Sequence, residues 1–171
     1  AVVSNFINLT AFALDGIAHA AEALVGKAVG QRNRTSLIQS VRLCLKWSLY
    51  FAVGISVAYL LGGRYLVHLL TDLPEVRQTT MTYLPWVIVS PLIAVWSFLY
   101  DGVYVGATRA RAMRDIMLVS SFVVFLPAWY LLQGFGNHGL WAAFVLFFAS
   151  RGIGMHIGYR RSLLPSVGAP Q

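Results

Sequence analysis

Asp15 and Glu22 stand seven residues apart in an apolar stretch, Val2–Gly30, that has no other charge before Lys27, and Asp101 stands near the end of another such stretch. A carboxylate inside a bilayer costs about 2.5–3.5 kcal/mol on insertion scales, so it is kept there for an ion path, a proton relay or a buried pair. A carboxylate taken out of water also holds its proton more tightly, so it can load and release one near neutral pH. A cation that binds the ionised form expels that proton, and such competition at one site is the simplest chemistry of antiport.

Seven residues are nearly two helical turns, so Asn8, Asp15 and Glu22 share one face, joined by Asn5 and His19 and continued by Gly26. That face must meet protein or a water-filled cavity. Asp15 and Glu22 are the candidate cation- or proton-coupling groups on it, and Asn8 and His19 the candidate lining. The structural alternative is a local network, with Asp15 bonded to His19 and Glu22 answering Lys27. A second stripe advances in steps of three and four through Ser90, Ala94, Ser97, Asp101, Tyr104 and Thr108, with Tyr100 beside the acid. Here Asp101 is the candidate coupling group, and Ser97, Tyr100 and Tyr104 are the candidate cavity lining. The alternative is helix packing through small residues and hydroxyl bonds, with Asp101 serving as a cap or pairing with Arg109. Arg151 lies within the last apolar stretch and needs a counter-charge or a route to water. It is expected to form a structural ion pair with a carboxylate such as Glu22, or else to snorkel to the membrane surface.

The elements that carry these residues follow from composition. The chain has 171 residues, 58% hydrophobic and 11% charged, with a mean hydropathy of +0.68, against about a quarter charged in a soluble domain. A spanning helix needs about 20 mainly apolar residues. Five candidate spans are expected, at roughly 2–26, 43–61, 84–105, 116–132 and 140–157, making an all-α integral membrane domain over 1–162 with a tail over 163–171. The net charge of +7 is not a nucleic-acid footprint, because the basic residues lie in short runs between the spans. Ten of them (Lys27, Arg32, Arg34, Arg42, Lys46, Arg109, Arg111, Arg114, Arg160 and Arg161) fall on one side, against Arg64 and Arg77 on the other. By the positive-inside rule the tail is cytoplasmic and Ala1 external, in a multi-pass protein of the cell's inner (plasma) membrane. An external Ala1 with no signal sequence suggests that earlier spans are missing. Between the second and third spans, Tyr65–Leu70 is expected to form a short interfacial helix. Asp72 should then cap a helix that opens with Pro74 and Glu75 and is kinked at Pro85 and Pro91.

Chemistry of other kinds is poorly supported. Gly26-Lys27-Ala28 lacks the spacing of a phosphate-binding loop, and His19-Ala20-Ala21-Glu22 lacks the second histidine of a zinc protease. One cysteine and four scattered histidines make no metal set, so no catalytic residue, metal or cofactor is assigned beyond a coupling H⁺ or Na⁺. A faint internal echo pairs Leu14-Asp15-Gly16 and its basic loop with Tyr100-Asp101-Gly102 and its own.

The run from Leu14 to Gly30 resembles the eighth helix of the multidrug and toxic compound extrusion (MATE) transporters. The presence of both acids in it is similar to the DNA-damage-inducible F branch. Leu70–Val76 resembles the turn before the family's tenth helix, and Tyr100–Arg109 the end of that helix. The resemblance implies helices eight to twelve of a twelve-helix, two-lobe fold, with the N-terminal lobe of the same protein absent. It further implies secondary efflux of small organic or amphipathic compounds driven by Na⁺ or H⁺, with Asp101 as the tenth-helix coupling carboxylate. Asp15 and Glu22 are implied as polar residues typical of the branch. A lipid flippase of related architecture, or a non-transporting or truncated membrane subunit, is the alternative.

Overall fold

Residues 2–168 are described by a computed structural model of the chain, with side chains at Phe6 and from Asn8 onward. The side chain of Asn5, on the first polar face, and residues 169–171 of the tail lie outside that description. The described chain is helical and has no strand. Five helices are long and apolar enough to cross a membrane: α1 (Val2–Gly30), α2 (Arg34–Leu70), α3 (Pro74–Gly106), α4 (Ala110–Leu131) and α5 (Asn137–Ser166). In hydrocarbon the backbone must satisfy itself, and a helix does so within one segment.

Residue pairings fix the directions. Tyr59 meets Phe6 and Thr10 while Ala52 packs with Leu14, so α2 runs opposite to α1. Along α3, Gly102 abuts Ala18 and Gly106 abuts Glu22, so α1 and α3 run parallel. Ser97 bonds Phe148 and Tyr104 bonds Met155, so α5 runs parallel to both. Helix α3 is the hub, packed on α1, α2 and α5. Helix α2 buries one row, Leu37, Val41, Cys44, Ser48, Ala52, Ser56, Tyr59, Gly63 and Val67, at the three-to-four spacing of a helix with a single protein-facing side. Helix α4 is peripheral: among its described residues only Ser120 is buried.

The ends and irregularities have local causes. Asn33 caps α2, its Oδ1 accepting from the Ser36 N–H at 2.9 Å. Helices α1 and α3 close alike. Asn33 N–H reaches back to Ala28 O at 3.0 Å, and Arg109 N–H to Tyr104 O at 2.8 Å. The residues before them, Arg32 (φ 51°) and Thr108 (φ 56°), are left-handed. This is the Schellman closure that glycine usually supplies. The echo between the two halves is therefore clearest in Val29-Gly30 and Val105-Gly106 and the caps that follow them, rather than around the acids. The wide π turns Ser120–Phe125 and Tyr159–Leu163 each end two residues before a proline, Pro127 and Pro165. Both absorb the hydrogen bond that the proline cannot donate.

Two expectations for the α2–α3 connection are corrected. Tyr65–Leu70 is no separate interfacial helix but the last turns of the 37-residue α2. Asp72 is not the N-cap of α3, and that position falls to Leu73, which makes no side-chain cap bond. The turn is held instead by Arg77, which donates to Thr71 O at 2.8 Å, His68 O at 3.2 Å and the Asp72 carboxylate at 3.1 Å. Arginine can serve the last carbonyls of α2 and an acid together, an arrangement that competes with the capping box. At Pro91 the carbonyl freed by the missing N–H is Val87 O, and Ser90 Oγ takes it at 3.1 Å, so this group is not left open to a cavity.

Candidate functional site

The three parallel helices bring the site residues together at a seam between α3 and α5. Asp101 sits on α3 and Arg151 on α5, and one guanidinium nitrogen, Nη2, donates to both carboxylate oxygens at 2.5 and 2.6 Å. Their side chains are only 25% and 11% exposed. Coulomb attraction at this separation is strong wherever water is scarce. Arg151 Nε is buried and has no hydrogen-bond partner among the described residues. An orphaned buried donor costs about 1–3 kcal/mol, so the guanidinium is held at one end only. The expected partner Glu22 is not the one found: it sits near the basic end of α1, with His19 Nδ1 at 3.5 Å. Asp101 does not pair with Arg109 either, which donates to Ser166 at 3.1 Å.

Around this pair the seam is stitched by hydroxyls. Ser97 donates to Phe148 O at 2.8 Å and Tyr104 to Met155 O at 3.0 Å, and Tyr100 shares a hydrogen bond with His156 Nδ1 at 2.5 Å. These three side chains are almost wholly buried. In this structure they close the α3–α5 interface rather than line an open space. Gly152 and Gly158 make room, since a Cβ at either would meet Trp96 or the Tyr104 hydroxyl. His156 was not singled out from sequence, because its one signal is a place five residues after Arg151, meaningful only once the register against α3 is known.

The α1 residues are disposed differently. Asp15 and Glu22 are half-buried on the flank of α1, and Asp15 lies within Coulombic range of Asp101. Asn8 and His19 are exposed, His19 79% so. Helix geometry explains the graded exposure. At about 100° per residue the buried row of Leu14, Ala21, Val25 and Ala28 is centred roughly 100° from Asp15, and His19 lies on the far side of it. The polar face of α1 is therefore not covered by α2–α5.

An apolar cleft of about 230 Å³ opens between α1, α3 and α5, lined by Thr10, Ser90, Phe98, Trp141, Phe144 and Phe148 among others. None of the cavity-lining residues expected from sequence borders it. Among the described residues no three metal-ligating side chains converge.

Comparison with known proteins adds three findings. The MatE family matches residues 1–131. Over 161 residues the chain is 39% identical to DNA damage-inducible protein F of Escherichia coli (strain K12), covering 94% of this chain and 35% of that protein. The chain thus spans about a third of the length of that relative. No solved structure matches.

Proposed function

The chain belongs to the MatE family, and from that premise we propose that it is the α1–α5 portion of a secondary efflux transporter, with Asp101 as its cation- or proton-coupling group. The observation that carries the reading is the carboxylate of Asp101, lodged among the helices of an apolar bundle and balanced by one arginine. Such a group is expensive in a membrane, and ion coupling is a use that justifies it. Asp15 and Glu22 form the second part of the proposal. Their face of α1 is uncovered here, and a polar stripe inside a membrane requires protein or water against it. The rest of a two-lobe transporter would supply that wall, with a central aqueous path between.

The cleft supports an amphipathic cation as the substrate class. Trp141, Phe98, Phe144 and Phe148 offer aromatic faces to the flat, apolar part of an amphipathic cation. The protein is read as a carrier rather than an enzyme. The basic ends of the helices are read as cytoplasmic, in the inner membrane, by the positive-inside rule.

The test exchanges the matching segment of the E. coli relative for this chain and follows ethidium movement in proteoliposomes under an imposed Na⁺ or H⁺ gradient. Gradient-driven export that Asp101→Asn abolishes is the expected result. A folded chimera that moves no compound under either gradient overturns the reading.

A further inference from the structure

We propose that Arg151 is a tethered counter-cation, which fills the cation site of Asp101 when no mobile cation is there and must be displaced before one can bind. The proposal deepens the reading of Asp101 given above and rests on it. Two observations support it. Arg151 Nη2 bonds both carboxylate oxygens, so a second cation meets a carboxylate already neutralised and occupied between its two oxygens while the arginine is in place. The guanidinium is anchored at that end alone, because its buried Nε has no partner. A fixed arginine clamp would have acceptors on several of its five donors. The other charged or titratable groups near the site are Asp15 on α1, Tyr100 on α3 and His156 on α5. Asp15 supplies a second negative charge toward which a released guanidinium can relax.

Arg151 is on this account a positioning residue with a specific function. It keeps the vacant cation site electrically neutral, so the substrate-loaded transporter can reorient without leaving a bare carboxylate in the membrane. It also sets a threshold, since a mobile cation must outcompete a tethered one.

The experiment uses the chimera with the E. coli relative in lipid nanodiscs and dicyclohexylcarbodiimide, a reagent for protonated carboxyls in apolar surroundings, with the modified residue mapped by mass spectrometry. In the unsubstituted chimera Asp101 is expected to resist modification. In Arg151→Ala, labelling at Asp101 should rise about tenfold or more, as expected when a buried pair is broken. Millimolar guanidinium or Na⁺ should then suppress that labelling saturably, and Arg151→Lys should stay protected. A purely structural pair would also expose Asp101, but no added cation would fill its place. Failure of both cations to protect a helical, monodisperse Arg151→Ala chimera overturns the proposal, as does equal labelling in the unsubstituted chimera. The transport reading is judged separately: if cations protect Asp101 in nanodiscs but Asp101→Asn leaves export intact in the chimera, the exchange at Arg151 stands and the coupling role of Asp101 falls.

Discussion

Replacing Gly102 with alanine tests how closely α1 and α3 approach. A Cβ at Gly102 would lie 2.0 Å from Ala18 O, and one at Gly106 would lie 2.3 Å from Glu22 O. Both contacts are to backbone, which has no rotamer with which to yield. Cβ contacts below 3.0 Å essentially do not occur, so the helices must part by about 1 Å at Gly102. Overpacking of this kind costs about 1–3 kcal/mol, and here it opens a seam along which both helices lose dispersion contacts. Gly16 is the internal control, because nothing lies within 4 Å of the Cβ it would gain. There alanine should act only through helix propensity and stabilise by up to about 1 kcal/mol. The two substitutions share a helical backbone and a chemistry, so the opposite sign is the diagnostic. Thermal unfolding in detergent should move down by roughly 2–12 °C for Gly102→Ala, at about 2–4 °C per kcal/mol for a chain of this size, and stay level or rise for Gly16→Ala. A Gly102→Ala protein as stable as the native one would refute the close approach. The parallel register of α1 on α3 would then have to be redrawn, and the distance from Asp15 to Asp101 with it.

Breaking the buried pair from one side should be worse than removing both members. Asp101→Leu alone should cost about 3 kcal/mol, the low end for buried pairs because Asp101 is partly exposed, whereas the double variant Asp101→Leu/Arg151→Met should recover most of that loss in the same unfolding assay. Strict additivity of the two single effects would contradict the pairing. Tyr59→Phe removes the donor to Phe6 O at 3.0 Å and the bond to Thr10 at 3.0 Å; a loss of about 1 kcal/mol is expected, and none at all would mean that α1 and α2 are not joined there. Cys44 is only 5% exposed in the α1–α3 core, so a maleimide should label it slowly in the folded chain and completely after denaturation in dodecyl sulfate; rapid labelling of folded protein would refute the burial of that α2 row.

Much of this architecture was legible in the residues. Apolar runs gave the five helices, and three-to-four spacing put Ser97, Asp101 and Tyr104 on one side of α3. The helix ends were less legible, since α2 continues past its expected span through Gly62-Gly63 to Leu70. In a sequence those glycines suggest a break, but Gly63 is buried against Leu84 and serves close packing instead. The partner of Arg151 was not legible either. Any of several carboxylates can answer an arginine, and the choice depends on the offset between α3 and α5, which no periodicity within one helix encodes. The seven-residue spacing of Asn8, Asp15 and Glu22 did mark one face, but it could not say how far that face is turned from the protein. A straight helix also drifts about 20° per heptad, which spreads the three over different exposures. The caps with Arg32 and Thr108 in left-handed geometry escaped for a different reason: the usual signal is glycine, and here the glycine sits inside each helix, two residues earlier.

The Asp101–Arg151 pair has a consequence for how the molecule is made. Its members are fifty residues apart, and a ribosome adds roughly 5–20 residues per second. Helix α3 therefore enters the bilayer with a bare carboxylate for roughly 3–10 s before the helix carrying its counter-charge is synthesised. In that interval the carboxylate is held by a proton, by water or by the insertion machinery, and only the arrival of α5 closes the account. Helix α5 is thus a checkpoint of assembly, and a chain stopped before Arg151 would leave the membrane with an unmatched acid for quality control to find.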